Sequence, residues 1–322
     1  MRMKFIFFSI TGILFVFLSA QASNLNNYKE FYLSLHKNSI HKYVFCLPTE
    51  NPEKYPEVFG VKRDSLSRII EFTKFAFGNI DTKVDWTITR ISYSLIDSIG
   101  CIKELRTYFN RIGMPIGLGW VHAEELIYRE KSGNLLSRKL YRTDGKTPAG
   151  DSVKIHENIY KLQKGIITQT FYNYNGKMCH GENTEQLLQS LSNVPYSAFY
   201  RKMKLDTLGN ATEEYILDFD KKNIPYSDGV YVKKYNYNDC GFVEGVMFYN
   251  IDSTIMKNSL GVNGEEYKYD NFGRLIELKF VNQNKINIER TTDYAAIIKY
   301  VYRDFDGVLI STKYFNIKGK EL

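Results

Sequence analysis

Residues Tyr267 to Phe280 read YKYDNFGRLIELKF. Aromatic and polar residues alternate up to Asp270, the alternation breaks over Asp270, Asn271, Phe272 and Gly273, and it then resumes. Alternation marks a strand with two unlike faces. The break is turn chemistry: an Asp side chain bonds the backbone of a type I turn, and Gly accepts the left-handed conformation that follows. Two alternating runs joined by such a turn predict a β-hairpin. The same stretch carries Asp270, Arg274 and Glu277, so its reading decides between an active site and a structural unit.

Its counterparts answer the question. Gly241 lies 32 residues before Gly273, Gly209 another 32 before that, and Gly307 lies 34 after. Upstream, Gly165, Gly133 and Gly100 stand 32 and 33 apart, and Ser67 holds the same place 33 residues before Gly100. One step is irregular, the 44 residues from Gly165 to Gly209. Eight units therefore run from about Val61 to Leu322. Two residues after the mark stand Ile69, Ile102, Leu135, Ile167, Ala211, Val243, Leu275 and Leu309, all apolar. Four residues after it stand Glu71, Glu104, Ser137, Gln169, Glu213, Gly245, Glu277 and Ser311, never a large apolar residue, and these are expected to face solvent. An aromatic or large aliphatic residue follows at seven or eight, as at Phe75, Tyr108, Phe248 and Phe280.

Asp64, Asp97 and Asp206 open turns like that of Asp270, and Asn238 opens a close variant. A second turn begins at Asn110, Asn173 and Asn316. Each unit is thus a hairpin, a turn and a shorter return strand. An isolated hairpin is marginal in water, and stacked repeats bury one another's faces. The expected fold is all-β: an elongated array of antiparallel hairpins, as a curved sheet or a β-solenoid, of eight units of about 32 residues. A closed barrel or propeller is the alternative.

The residues Tyr267, Tyr269, Asp270, Gly273, Arg274 and Leu275, and more loosely Tyr300, Tyr302 and Gly307, resemble the tyrosine-aspartate (YD, Rhs-type) hairpin repeats of bacterial cell-surface proteins. The second turn is similar to MORN-type hairpin repeats. The resemblance implies a shell, scaffold or binding surface, and it brings no catalytic residues with it.

Residues 1–22 read as a signal peptide. Arg2 and Lys4 precede an apolar run from Phe5 to Ala20, and Ala20-Gln21-Ala22 places cleavage after Ala22. No Cys follows that point, against a lipid anchor. A membrane enters only if the signal stays uncleaved, and the run is shorter than the about 20 residues that span a bilayer. Without Arg2 and Lys4 the net charge falls from +7 to +5, with both signs interspersed, so nucleic acid is not an expected partner. Four cysteines, Cys46, Cys101, Cys179 and Cys240, allow three pairings, among which the spacing does not choose, and unpaired burial is an equal reading.

Paired carboxylates suggest glycosidase chemistry. Asp270 with Glu277 is such a pair, but it recurs as Asp64 with Glu71, Asp97 with Glu104 and Asp206 with Glu213. Groups that recur in every turn read as structural. Lines of Tyr suit sugar stacking, but a cross-strand ladder is the stronger reading. His36, His41, His122, His156 and His180 are scattered, and the adjacent Cys179 and His180 lack metal-ligand spacing. Gly117 and Gly119 beside Trp120 read as backbone geometry. No catalytic, cofactor or metal residues are therefore assigned.

Function is expected where the repeat breaks. Residues 178–200, between repeats 1–4 (61–177) and repeats 5–8 (201–322), hold Asn183 and Gln186 as a capping box and Leu187, Leu188 and Leu191 as one helical face, ended by Asn193 and Pro195. This helix reads as a gap-filling plug or a partner-binding protrusion. Residues 23–60 read as an N-terminal cap: a short helix from Tyr28 to Leu35, a strand from His41 to Leu47, and a loop from Pro48 to Pro56. The last strand is expected to leave an open edge for self-association. The expected protein is an exported, non-enzymatic scaffold or binding module of the periplasm or cell surface, with a protein or glycan partner. The alternative is a carbohydrate-binding or carbohydrate-active protein using residues near the insertion. A subunit of a surface assembly is a third reading.

Overall fold

The structure, a computed structural model, describes residues 25, 27–39, 41–76, 79–80, 88–96, 100–110, 114–116, 123–129, 131–142, 146–149, 155–173, 175–179, 198–303 and 308–322. The signal segment, the helix expected near Asn183 to Leu191, the Asp97 turn, Gly117 to Trp120, His122, His180 and Gly307 lie outside them.

Among the described residues, eight repeat hairpins form one antiparallel sheet. They are β3 (Val58–Arg63) with β4 (Ile69–Ala76), β6 (Ile88–Leu95) with β7 (Cys101–Phe109), β8 (Ala123–Arg129) with β9 (Leu135–Tyr141), and β10 (Ile155–Gln163) with β11 (Ile166–Asn173). The second half has β12 (Tyr200–Leu205) with β13 (Ala211–Leu217), β15 (Val232–Tyr237) with β16 (Val243–Tyr249), β17 (Gly264–Tyr269) with β18 (Leu275–Val281), and β19 (Ile297–Tyr302) with β20 (Leu309–Phe315). Each hairpin pairs with the next, so the sheet runs in chain order, open and curved rather than closed. The return strand shrinks to one bridging residue in six units, as at Tyr249 with Ile255. In the first and fifth it is a two-residue strand, β5 (Asn79–Ile80) and β14 (Asn223–Ile224).

The turns form as their side chains dictate. Asp270 Oδ1 accepts hydrogen bonds from the backbone N–H of Phe272 (2.8 Å) and Arg274 (3.0 Å). Its Oδ2 accepts from Arg274 Nε at 2.6 Å. Asp64, Asp206 and Asn238 bond the same two following amides. Gly273 closes the turn at φ +75, and Ser67 does the same at φ +61.

The column four residues after the mark is not uniformly solvent-facing. In six hairpins the pairing shifts just past the turn; Tyr269 pairs with Leu275 while Lys268 pairs with Glu277. Cross-strand partners share a face. The shift is a β-bulge, and it puts Leu275 and Glu277 on opposite faces although they are two residues apart. Hairpins β6–β7 and β10–β11 lack a shift at that place. There Glu104 shares a face with Ile102, and Gln169 with Ile167, and both polar residues are buried. Glu277 itself is largely covered, between Lys279 and Lys299.

Neighbouring units are also tied by tyrosines. Tyr237 OH donates to the Ala211 carbonyl (2.8 Å), Tyr269 to Val243 (2.9 Å), Tyr302 to Leu275 (2.9 Å) and Tyr93 to Ile69 (3.0 Å). Each acceptor is the residue two past the mark of the preceding unit. Apolar clusters follow the array. One joins Leu126, Leu135, Tyr160, Ile167, Met203 and Ala211. Another joins Val246, Phe248, Tyr267, Leu278, Phe280 and Ile298. Leu275 packs against the second, so Leu275 and Phe280 both serve as contacts between hairpins.

The N-terminal region departs from expectation. The predicted helix from Tyr28 to Leu35 is a strand, β1 (Glu30–Lys37), and β2 (Tyr43–Pro48) pairs with it. The strand wins because both of its faces are covered: Phe31 and Leu33 pack with Val58 and Phe75, while Tyr32, pointing the other way, packs in the cluster of Phe59, Val61, Phe72 and Ile91. A helix would present only one such stripe. Only Pro52–Lys54 of the following loop forms a single 3-10 turn.

Candidate functional site: the interior hairpin and the turn ridge

β1 pairs with β3 through three residue pairs, Glu30 with Val61, Phe31 with Gly60 and Tyr32 with Phe59. Beyond them the β1–β2 hairpin leaves the ladder and lies across the curve of the sheet. One side rests on the first three units. Tyr43 and Phe45 meet the ring of Phe72 at 4.8 and 5.4 Å, and the Arg106 guanidinium lies 4.1 Å from the Tyr43 ring centre. The other side meets the turns of units five to seven. Asn38 Nδ2 donates to the Leu208 carbonyl (2.6 Å), and Ser39 Oγ accepts from the Ala211 amide (2.8 Å). The His36 ring lies 4.9 Å from Phe242, and Tyr55 meets Phe272 at 5.8 Å. A disulfide joins Cys46 of β2 to Cys240 in the sixth turn, with Cα atoms 5.7 Å apart across 194 residues of sequence.

At the tip of this hairpin sits a buried ionic cluster. Glu124 accepts from Lys37 Nζ at 3.0 Å and from Arg138 Nη2 at 3.0 Å, and Arg106 Nη1 lies 3.5 Å away. Glu104 binds Arg106 from the same strand. Burial pushes the Glu124 carboxyl up, but Lys37, Arg138 and Arg106 outweigh it and hold the group well below the ordinary carboxylate range. Two carboxylates and three cations thus share a dry site, which suits interlocking more than proton transfer. A second cluster stands in units five and six. Glu214 takes Arg201 Nε (2.8 Å), Tyr235 OH (2.8 Å) and Tyr226 OH (3.1 Å), and the fully buried Lys233 pairs with Asp228 at 3.1 Å. Burial opposes the Glu214 charge, and Arg201 overrides it, keeping the pKa low.

The structure does not gather the carboxylates that looked chemical. Asp64, Asp206 and Asp270 hold three separate turns, and Glu71 is taken by Lys62, Arg90 and Tyr28. His41 reaches Tyr160 at 2.9 Å, His156 lies against Tyr141 at 5.5 Å, and His36 lies against Phe242, in three places rather than one. Among the described residues no group of three His, Cys, Asp or Glu is arranged to hold a metal. Sequence reasoning missed Lys37, Arg106, Glu124 and Arg138. A signal was present in β7: Ile102, Glu104, Arg106 and Tyr108 share one strand parity, and that whole parity is buried.

No protein-family model matches the chain, and no curated protein matches it in sequence. Among solved structures, it is similar to a chain of the TcdB2-TccC3-Cdc42 crystal structure. The identity is 9% and the TM-score 0.21, over 80% of this chain and 15% of that one. It is also similar to a chain in a crystal structure of the eukaryotic initiation factor. There the identity is 10% and the TM-score 0.22, over 85% of this chain and 80% of that one. The chain spans about 15% of the length of the first of these, and likenesses of this strength carry no functional weight.

Proposed function

We propose that this protein is an exported, non-enzymatic hairpin-repeat scaffold or binding module of the bacterial periplasm or cell surface, of the YD-repeat type. One observation supports the reading above the others. The groups that look chemical are spent on architecture: the turn aspartates on backbone amides, and four repeat tyrosines on carbonyls of the preceding unit. The repeat motif around Tyr269 and Asp270 and the apolar start up to Ala22 support the rest. The partner is a protein or glycan of the cell envelope. Self-association uses β20, whose Leu309, Ile310 and Tyr314 are exposed, whereas the counterparts of Leu309 and Tyr314 in earlier units are covered to a greater extent.

The test is expression of the full chain in a bacterium, fractionation and mass measurement of the N-terminus. A mature form beginning at Ser23 outside the cytoplasm is expected, and an intact Met1 form confined to the cytoplasm refutes export. A glycan array and a pull-down from native membranes then separate a sugar from a protein partner. Turnover of a glycan by the purified protein would overturn the non-enzymatic reading. A strictly monomeric species in light scattering at micromolar concentration would remove the self-association.

A further inference from the structure

We propose that the Cys46–Cys240 disulfide is a redox-operated clasp that holds the turns of units five to seven against the interior hairpin, so that reduction opens that contact and leaves the hairpin seated on units one to three. The two sides of the hairpin are held very differently. Toward units one to three it has the β1–β3 ladder, an apolar cluster containing Phe59, Val61, Phe72 and Ile91, and the buried ion pair of Lys37 with Glu124. Toward units five to seven its contacts are through side chains, among them hydrogen bonds of Asn38 and Ser39 and the ring contacts of His36 with Phe242 and Tyr55 with Phe272, with no strand ladder among the described residues. The disulfide is the one covalent link on this weaker side.

Its surroundings fit a working bond. Cys46 and Cys240 are both half-buried rather than buried, and Asp239 beside Cys240 is exposed, so the bond lies near the surface and not in the core. The bond spans 194 residues of sequence, so it links the interior hairpin to a unit far along the array. The contact also has sharp internal fit. A Cβ on Gly241 would stand 2.9 Å from His36 Nε2, and one on Gly273 would stand 2.7 Å from both Ser34 Oγ and Phe242 Cζ.

The chemistry balances with a dithiol as reductant. Its thiolate attacks one sulfur of the pair, forming a mixed disulfide. The second thiol of the reductant displaces the remaining protein sulfur and leaves as a cyclic disulfide. Two electrons and two protons pass to the protein, as thiols on Cys46 and Cys240.

The experiment follows backbone amide exchange in the full oxidised chain before and after dithiothreitol, with mass spectrometry of alkylated Cys46 and Cys240 to prove reduction. The Ala211 amide, bonded to Ser39 Oγ, is the direct reporter. Its exchange is expected to rise by about tenfold or more on reduction, while the Phe242 and Arg274 amides, bonded within their own turns, stay protected. The β3–β4 ladder amides of Val61 and Phe72 should keep their rates, and the far-ultraviolet circular dichroism should not change. The double variant C46S/C240S should behave as the reduced form without any reductant. If that variant does not fold, reduction of the pre-folded wild type still decides. Unchanged exchange at Ala211 with both thiols alkylated overturns the proposal. So does an equal rise at Val61 and Phe72, which would make the bond a general staple. Alkylation of both cysteines in protein purified without reductant overturns it as well.

Discussion

Replacing His36 with Phe should remove a pH dependence that the wild-type protein carries. Both ring nitrogens of His36 are buried without a hydrogen-bond partner among the described residues, and the ring packs on Phe242. Burial disfavours the charged imidazolium and pushes the pKa down from 6.5 to about 4. Above pH 6.5 the folded and unfolded chains are both neutral at this residue, and stability does not depend on it. Between pH 6.5 and about 4 the unfolded chain takes up a proton that the folded chain refuses, so stability falls as the pH falls. Below about 4 both forms are protonated and the loss is complete, on the order of 3 kcal/mol. The window from pH 7.5 to 5 captures about 2 kcal/mol of it, before Glu71, Glu124 and Glu214, whose pKa values are lowered, begin to titrate. Urea unfolding of the oxidised wild type and H36F at both pH values gives the comparison. His156 is also pushed down by burial and adds a slope of the same sign to both proteins, so the difference between them is the measure. A difference that stays constant within about 0.5 kcal/mol from pH 7.5 to 5 would refute the assignment of a buried, unprotonated His36.

Three substitutions probe the repeat itself by the same unfolding measurement. Asp270→Ala removes two backbone bonds and the Arg274 contact, and it should cost about 1–3 kcal/mol without altering any partner binding by the folded protein. Tyr269→Phe keeps the ring stacked on Phe242 and deletes only the bond to the Val243 carbonyl, so a loss of about 1 kcal/mol is expected, and no loss would dismiss the tyrosine ties as incidental. Glu124→Gln leaves Lys37, Arg138 and Arg106 crowded without their central anion, and it should cost about 3–5 kcal/mol, far more than a surface carboxylate.

What could be read from the chain was local. Asp270 with Gly273 needs only four residues to specify its turn, so the hairpins and their spacing were legible at once. The column two past the mark against the column four past it already recorded the bulge. Alternation alone could not show that, because a bulge changes faces without changing residue type. The same blindness hid Glu104 and Gln169, whose hairpins lack the shift. β1 was misread because Tyr28 to Leu35 carries apolar residues too densely for either period to stand out. The Cys46–Cys240 pairing and the Glu124 cluster depend on the curvature of the whole sheet, which brings residues 194 and 87 positions apart together, and no local pattern encodes that.

The disulfide also decides how the molecule carries load. A pull applied outside residues 46 and 240 reaches one cysteine, crosses the sulfur bridge and leaves by the other. The stretch between them, with the first five hairpins, is bypassed. Tension then falls on β1, on β16 and on hairpins seven and eight, which are held by backbone ladders and single tyrosine bonds. With the bridge cut, the shielded hairpins join the tensile path, and the extension available under the same force grows several-fold. A chain built this way would have two compliances, selected by the redox state of a single bond.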